Sequence, residues 1–165
     1  MTHDKAEYAR RVVGLVSDTH GLARPQALAR LRGSDLIAHA GDVGSADVLV
    51  AFDAVAKVVA VRGNMDPARL GRPLPFTAEL EVGGLLVLVI HDLAKLDLDP
   101  AGAGFAAVVH GHTHRPKVER RGGVLYVNPG FAGPKRGDTP PSVGRLVVAA
   151  GRVEAEIMVL AGADS

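Results

Sequence analysis

Short runs rich in Val, Leu and Ile recur along the chain, and each is bounded by Gly, Asp, Asn or Pro. The five clearest runs are residues 12–17, 35–40, 58–62, 85–90 and 106–110. Apolar runs of this length, without polar alternation, are typical of strands buried on both faces of a sheet. Helical stretches at 24–32 and 45–55 separate the first three, with Pro25 near one first turn and Ser45 as the expected N-cap of the other. The pattern predicts β-α-β-α-β for this part of the chain.

The alternation of predicted strands and helices ends after residue 70. Residues 70–76 predict a loop, and residues 77–90 predict a hairpin that turns at Gly83 and Gly84. Further strands are predicted at 124–128, 144–150 and 153–160. These elements are typical of a layered α/β fold with a mixed sheet, or with two sheets face to face.

The composition is that of an ordinary globular protein, with 47% hydrophobic and 22% charged residues. A length of 165 residues favours one domain over residues 1–165. The first ten residues are polar and are expected to form a flexible tail rather than a secretory signal. The longest strongly apolar run, at 85–90, is too short to span a bilayer. We therefore expect a cytoplasmic protein with no membrane partner.

The net charge of +1 provides no extended field for nucleic acid, and 4% aromatic residues leave few stacking platforms. A nucleic acid polymer is therefore not the expected partner, and any phosphate recognition must be local. The absence of cysteine excludes thiolate ligands. Histidine, carboxylate and amide side chains remain as the good metal ligands.

Side chains of that kind follow each of the five clearest runs, and they are Asp18, His20, Asp42, Asn64, His91, His112 and His114. The carboxyl ends of parallel strands meet at one edge of a sheet, so these seven side chains are predicted to converge in one cleft. Asp18 and His20 lie two positions apart, as do His112 and His114. In extended backbone both members of each pair would point the same way.

Seven ligands suit two ions rather than one, with a carboxylate such as Asp42 bridging cations about 3.5 to 4 Å apart. Oxygen and imidazole ligands without sulfur favour borderline or hard divalent ions. We expect Mn²⁺, with Fe, Co²⁺, Ni²⁺ and Zn²⁺ as alternatives that the sequence does not separate. Two divalent ions held by two carboxylates keep a net positive charge, which attracts a phosphate ester.

Six stretches, in this order, resemble the motifs of the calcineurin-like metallophosphoesterases: SDTHG (17–21), HAGD (39–42), RGNMD (62–66), His91, HGHTHRP (110–116) and NPGF (128–131). More narrowly, the chain is similar to the small single-domain bacterial and archaeal phosphodiesterase branch. Each motif alone is weakly specific, but the complete set in this order and spacing is specific, and the resemblance runs from about residue 12 to residue 160. The resemblance implies an α/β fold of two mixed β-sheets face to face, flanked by helices in a four-layer sandwich.

The resemblance also implies two metal-ligand sets that share Asp42 as the bridge. One set is Asp18, His20, Asp42 and His114, and the other is Asp42, Asn64, His91 and His112. It further implies a phosphodiesterase that hydrolyses small phosphoester substrates through attack of a metal-bridging hydroxide. Asp42, Asn64 and His91 would then occupy catalytic positions.

Two alternatives stay open at this point. Some relatives on this fold are non-catalytic protein-binding scaffolds, such as the phosphodiesterase-like subunit of a eukaryotic membrane-coat complex. Relatives in the small branch are often dimers or larger, so a homo-oligomer is an alternative to a monomer.

Three residues depart from the family pattern. Met65 replaces a histidine that many members of the wider superfamily carry after the GN pair, and a thioether cannot act as a general acid. Asp92 stands where relatives usually have Gly, and Phe131 where they often have Ser. We expect slow hydrolysis of poor leaving groups, and an altered substrate preference near Phe131.

Other polar residues each allow two interpretations. His39 and His110 lie inside predicted strands and are expected to be structural. Asp66 is either a turn residue or a support for a ligand. Five cations are either phosphate-binding groups or ordinary solvated charges, namely Arg24, Arg62, Arg115, Lys135 and Arg136.

Overall fold

A computed structural model describes residues 9–160 as two five-stranded β-sheets. In chain order the strands are β1 (Arg11–Val16), β2 (Leu36–His39), β3 (Val58–Ala60), β4 (Thr77–Val82), β5 (Leu85–Ile90), β6 (Phe105–Val109), β7 (Lys117–Arg121), β8 (Val124–Asn128), β9 (Ser142–Ala149) and β10 (Arg152–Val159). The α-helices in this range are α1 (Pro25–Arg30) and α2 (Ala46–Asp53), and a 3₁₀ helix covers Leu93–Lys95. The predicted tail at 1–10 lies largely outside the described residues.

Both sheets are mixed. The first has the order β10-β9-β1-β2-β3, in which β1, β2 and β3 are parallel to one another and β9 runs antiparallel to both of its neighbours, β1 and β10. The second has the order β4-β5-β6-β8-β7, in which β5, β6 and β8 are parallel and the edge strands β4 and β7 run against them. The predicted α/β class with two mixed sheets is confirmed.

The parallel strands of both sheets end at one edge of the molecule. His91, directly after β5, places its Nδ1 atom 2.7 Å from the carbonyl oxygen of Ala40, directly after β2. The backbone N–H of Gly111, after β6, donates to the carbonyl of His91. We call this the carboxyl edge, and the other end of the sheets the opposite edge.

The main core lies between the sheets, where Leu15, Val89 and Val109 are fully buried. A second core lies between the first sheet and the two helices and contains Leu49 and Phe52. Full burial of a side chain of this kind contributes about 1.5–3 kcal/mol. The outer face of the second sheet is covered more thinly, by residues that include Leu93 and Leu96 of the 3₁₀ segment. Two α-helices therefore pack on the first sheet, whereas a short 3₁₀ helix packs on the second.

The predicted strands are present with small shifts in their ends, and both helices are shorter than predicted. Pro25 is the first residue of α1, as expected. Ser45 is at the N-cap position of α2, but its side chain makes no capping hydrogen bond. Strand β7 was missed, because its sequence KVERR is mostly charged and exposed. Charged side chains of this kind are common on edge strands, where they discourage pairing with other chains.

Candidate metal centre

The loops at the carboxyl edge bring all seven predicted ligand side chains into one cleft. Asp18 and His20 follow β1, Asp42 follows β2, and Asn64 follows β3 in the first sheet; His91 follows β5, while His112 and His114 follow β6 in the second. The convergence predicted from the strand ends is therefore present, and it joins both sheets.

Each of the two carboxylates has one oxygen held by protein donors. Asp18 Oδ2 accepts hydrogen bonds from Ser17 Oγ at 2.6 Å and from the backbone N–H of His112 at 3.1 Å. Asp42 Oδ1 accepts one from the backbone N–H of Met65 at 2.9 Å. The other oxygen of each carboxylate therefore faces the histidines.

The first group consists of Asp18, His20 and His114. His114 Nε2 lies 3.2 Å from Asp18 Oδ1, and His20 Nε2 lies 3.9 Å from the same oxygen. His20 Nε2 also lies 3.8 Å from Asp42 Oδ2.

The second group gathers around Asp42 and Asn64. His91 Nε2 lies 3.4 Å from Asp42 Oδ2 and 3.0 Å from Asn64 Oδ1, and His112 Nδ1 lies 3.2 Å from Asn64 Oδ1. The Nδ1–H of His91 donates to the carbonyl of Ala40, which leaves its Nε2 lone pair directed at the cleft. Asp42 Oδ2 thus lies within 4 Å of a histidine from each group. Asp18 Oδ1 is also 4.0 Å from His91 Nε2.

Unpaired atoms show that this donor set fits a divalent metal. Among the described residues, three buried side-chain atoms have no hydrogen-bond partner; Asp18 Oδ1 and His20 Nε2 are two of them, and the third is His110 Nδ1. A buried polar atom without a partner costs about 1–3 kcal/mol, so such atoms call for an explanation. The ligand atoms of Asp18, His20 and His114 lie within 4.8 Å of one another, as do those of Asp18, Asp42 and His91. Carboxylate and imidazole donors at this spacing could coordinate a divalent ion.

The backbone around these ligands is not extended. Five of the seven predicted ligand residues have left-handed φ angles: Asp18 at 54°, His20 at 45°, Asp42 at 55°, His112 at 73° and His114 at 63°. The expectation that pairs two apart share a direction through extended backbone is therefore wrong. His112 faces Asn64 in the second group, whereas His114 faces Asp18 in the first. The tight turns, rather than strand alternation, aim each side chain.

Two glycines allow the loops to approach this closely. A Cβ atom on Gly63 would collide with the backbone nitrogen and Oδ1 of Asp42. A Cβ atom on Gly111 would collide with Ser17 Oγ and would lie 2.7 Å from Asp18 Oδ2. The glycine before Asn64 and the glycine before His112 are thus required by packing against the two carboxylates.

Asp42 and His91 stabilise each other's charged form, whereas the surroundings of His114 disfavour its protonation. Burial opposes ionisation of Asp42, but hydrogen bonding with His91 and the Met65 N–H outweighs it and lowers the pKa of the carboxyl. Burial also opposes protonation of His91, but Asp42 and the charge of Asp18 outweigh it and raise its pKa. Burial lowers the pKa of His114, the charge of Asp18 opposes this, and the charge of Arg136 adds to it. Both carboxylates therefore lie among groups that balance negative charge.

His39 holds the two carboxylate-bearing loops together. Its Nδ1 accepts the backbone N–H of Gly41 at 3.1 Å, and its Nε2–H donates to Thr19 Oγ1 at 2.9 Å, because that hydroxyl donates to the Val43 carbonyl. Burial, followed by the charge of His91, lowers the pKa of His39 to about 3. It is a neutral structural histidine, as predicted. His110 is also buried, and burial followed by the charge of Arg121 lowers its pKa to about 4.

Three further polar residues support the cleft; the sequence prediction left Asp66 open between a turn residue and a support for a ligand, and it assigned no role to Ser17 or Asn128. Asp66 accepts the backbone N–H groups of Val43, Gly44 and Gly63, so it joins the loops after β2 and β3. Ser17 anchors Asp18, as described above. Asn128 donates to the Gly111 carbonyl and to Thr113 Oγ1, which fixes the loop after β6. All three lie inside the motifs SDTHG, RGNMD and NPGF, and this position in the sequence could have indicated a supporting role.

The three departures occupy different positions around the cleft. The Met65 side chain is 72% exposed, while its backbone N–H holds Asp42. Asp92 Oδ2 lies 3.8 Å from His112 Nε2, and its Oδ1 caps the 3₁₀ helix by accepting the Ala94 N–H. Phe131 is buried, and its ring centre lies 5.6 Å from that of His114. Phe131 thus forms an apolar wall behind the first group.

The candidate phosphate-binding cations lie in different environments. Arg24 is buried and its guanidinium donates to the Gly133 carbonyl, so it supports the loop after β8. Arg62 lies beside the second group, where its guanidinium stands 5.0 Å above the ring of Phe76. Arg115, Lys135 and Arg136 are exposed.

Comparison with known proteins agrees with this geometry. The family model described as the calcineurin-like phosphoesterase superfamily domain matches residues 12–151. The chain is 35% identical over 132 residues to a probable metallophosphoesterase of Methanocaldococcus jannaschii, which covers 72% of this chain and 67% of the relative.

Two solved structures share the fold. One is described as a novel archaeal phosphodiesterase, with a TM-score of 0.75 and 24% identity over 90% of this chain and 99% of that one. The other is Vps29 of Entamoeba histolytica in complex with Zn²⁺, with a TM-score of 0.67 and 22% identity over 90% of this chain and 99% of that one. In addition, no helix within residues 9–160 is long and apolar enough to cross a membrane.

Proposed function

The chain belongs to the calcineurin-like phosphoesterase superfamily, and from that premise we propose that it is a divalent-metal-dependent phosphodiesterase acting on small phosphoester substrates. The observation that carries the proposal is the pair of carboxylate oxygens, Asp18 Oδ1 and Asp42 Oδ2, that face histidines from both sheets. Cytoplasmic location, one-domain organisation and oligomeric state stay predictions.

Two ions would be held by sets that meet at Asp42. Asp18, His20 and His114 would hold one ion together with Asp42, while Asn64, His91 and His112 would hold the other. When bound, two divalent ions supply an acidified water nucleophile and neutralise the charge that develops on the phosphoryl oxygens. Mn²⁺ is the proposed ion, because the donor set contains only oxygen and nitrogen.

The residues of the chain would contribute orientation. The Met65 N–H fixes one oxygen of Asp42, so the other oxygen keeps its direction into the cleft. The hydrogen bond from His91 Nδ1–H to the Ala40 carbonyl fixes the tautomer of that ring. Asn64 Oδ1 lies between His91 and His112, so a single amide spans the second group. Ligands held in this way are in place before substrate arrives.

The position after Asn64 offers no proton to a leaving group. Met65 is exposed beside the second group, and its thioether cannot protonate an alkoxide. Esters whose leaving group is stable without a proton, such as p-nitrophenolate, should react fastest. Dialkyl phosphodiesters should react much more slowly.

A metal-reconstitution assay tests the proposal. Protein stripped of metal with a chelator is assayed against a panel of phosphodiesters and phosphomonoesters, with Mn²⁺, Fe²⁺, Co²⁺, Ni²⁺, Zn²⁺ and Mg²⁺ added back singly. We expect hydrolysis of bis(p-nitrophenyl) phosphate that depends on Mn²⁺ and exceeds that of p-nitrophenyl phosphate. Equal rates on aryl and dialkyl diesters would contradict the argument from Met65.

The second candidate is a non-catalytic protein-binding scaffold. Two observations favour it: the fold is shared with Vps29, and two large apolar side chains, Met65 and Phe76, are 72% and 68% exposed beside the cleft. Exposed apolar groups of this kind are common at protein interfaces. An absence of hydrolysis with every ion in the panel would favour the scaffold.

A further inference from the structure

A cavity of about 280 Å³ opens beside the second group of the candidate metal centre. Asn64 and His91 belong to its lining, so the cavity and the centre share a wall. A substrate whose phosphate lies at the centre can therefore reach the cavity with one of its ester groups.

Part of the cavity lining is apolar. Phe76 and Ile90 form this part, and Phe76 leaves 68% of its surface exposed. The guanidinium of Arg62 stands 5.0 Å from the centre of the Phe76 ring, a distance typical of cation–π contacts. That contact places a cation over one face of the ring, so a flat group would stack on the other face.

The rim of the cavity carries mixed charge. Arg62 and Lys95 contribute two positive charges and Asp92 one negative charge. The excess of one positive charge suits an anionic molecule such as a phosphodiester. The cavity is slightly smaller than the range of about 300–1,000 Å³ found for drug-sized ligands, so it suits a single ring system.

We propose that this cavity binds a flat aromatic ester group of the substrate, which stacks on Phe76. Aromatic rings and nucleobases stack on exposed aromatic side chains whatever their hydrogen-bonding pattern, so shape rather than base identity would be read. The proposal rests on the proposed function, because it assumes that the phosphate lies at the metal centre. It names the substrate class as aryl or nucleoside phosphodiesters.

Binding of two phosphonates tests the cavity without turnover. Phenylphosphonate and methylphosphonate share the charged head group, and their carbon–phosphorus bonds are not esters. Each is titrated by calorimetry into the full chain loaded with Mn²⁺. We expect phenylphosphonate to bind about tenfold more tightly than methylphosphonate, from stacking on Phe76.

Three variants locate the preference. Phe76→Ala should reduce the preference for phenylphosphonate to within about twofold, and Phe76→Trp should keep it because a ring remains. Val118→Ala is the matched control, since Val118 is an exposed apolar residue on β7 that does not line the cavity. It should retain the full preference. Because Phe76 is exposed, its substitutions should leave the thermal unfolding temperature nearly unchanged.

The possible outcomes distinguish failure of the cavity proposal from failure of the proposed function. If both phosphonates bind equally to the native chain, or if Phe76→Ala keeps the preference, the cavity proposal is wrong while the metal centre stands. If neither phosphonate binds in the presence of Mn²⁺ while the chain hydrolyses bis(p-nitrophenyl) phosphate, the cavity proposal is wrong; if hydrolysis is absent as well, the proposed function fails and the cavity proposal fails with it.

Discussion

The two edges of the double sheet use the left-handed region of backbone conformation in different ways. At the opposite edge, the hairpins turn at Gly83–Gly84, Gly122–Gly123 and Ala150–Gly151, where glycine supplies all but one of the positive φ angles. At the carboxyl edge, the left-handed conformation is adopted by five residues with side chains, namely Asp18, His20, Asp42, His112 and His114. Among residues 9–160, Ala150 is the only other non-glycine residue with a positive φ.

The difference indicates what each edge is for. An L-residue with a side chain loses roughly 1–2 kcal/mol in the left-handed region relative to its ordinary conformation. Glycine avoids that cost, and the hairpins use it because nothing there needs a side chain. The carboxyl edge places carboxylates and imidazoles at such positions, which makes sense only if those groups bind something. Strain of this kind concentrates at functional sites.

The largest expected effect comes from removing a ligand at the carboxyl edge. Asp42→Ala should lower Mn²⁺-dependent kcat/KM for bis(p-nitrophenyl) phosphate by roughly 10³-fold or more, because the carboxylate shared by both ligand groups is lost. Asp97→Ala, at an exposed site outside the cleft, is the control and should leave kcat/KM unchanged. A loss of less than tenfold in Asp42→Ala would break the assignment of the centre.

Acid should destabilise the chain through the carboxyl edge, where all six histidines of residues 9–160 lie. His39 and His110 have pKa values lowered to about 3 and about 4, so below pH 6.5 the unfolded chain binds protons that the folded chain does not. Stability is therefore full above pH 6.5 and falls as the pH decreases. Between pH 6.5 and 5 each group should cost about 2 kcal/mol. The raised pKa of His91 acts in the opposite direction and partly offsets this loss.

Urea unfolding of the metal-free chain at pH 7 and pH 5 measures this effect. His110→Gln should show a decrease in unfolding free energy about 2 kcal/mol smaller than that of the native chain. An identical decrease in both proteins would show that His110 is not the acid-sensitive group.

A smaller effect is expected at Asp92, which lies 3.8 Å from the Nε2 atom of His112. A carboxylate on that side favours an Nε2–H tautomer and leaves Nδ1 as the metal ligand, facing Asn64. Asp92→Asn keeps the oxygen that caps the 3₁₀ helix but removes the charge, and should weaken Mn²⁺ binding about tenfold. Asp97→Asn is the matched control. Unchanged Mn²⁺ affinity, measured by calorimetry, would show that Asp92 does not orient His112 for metal binding.

The smallest effect compares the two edges directly. In metal-free protein, His112→Gly should raise the free energy of unfolding by about 0.5–1 kcal/mol, because glycine relieves the left-handed strain but loses more backbone entropy. Gly84→Ala, with no atom within 4 Å of the added Cβ, should lower it by about 1 kcal/mol through backbone conformation alone. Urea unfolding should show changes of opposite sign in the free energy of unfolding of the two variants. Changes of the same sign would show that the two edges do not differ in backbone strain.

Much of the fold could be predicted, because apolar runs and Gly-rich turns are local signals. The seven candidate ligand side chains were predicted from their positions after strands, and the structure brings all of them to one cleft. Local patterns failed where long-range geometry decides. The charged strand β7 is defined by pairing with β8, and the left-handed turns at His112 and His114 depend on packing of Gly111 against Ser17. Nothing in the sequence near Phe76 indicates a cavity, since its other walls come from loops after β3 and β5.

We propose that seven side chains from separate loops enclose two neighbouring divalent ions. Anomalous diffraction from crystals grown with Mn²⁺ measures this directly. We expect two peaks about 3.5 to 4 Å apart, one beside Asp18, His20 and His114 and one beside Asn64, His91 and His112, with Asp42 in contact with both. A cleft without anomalous density, or with Asn64 and His91 turned away from it, would contradict the account.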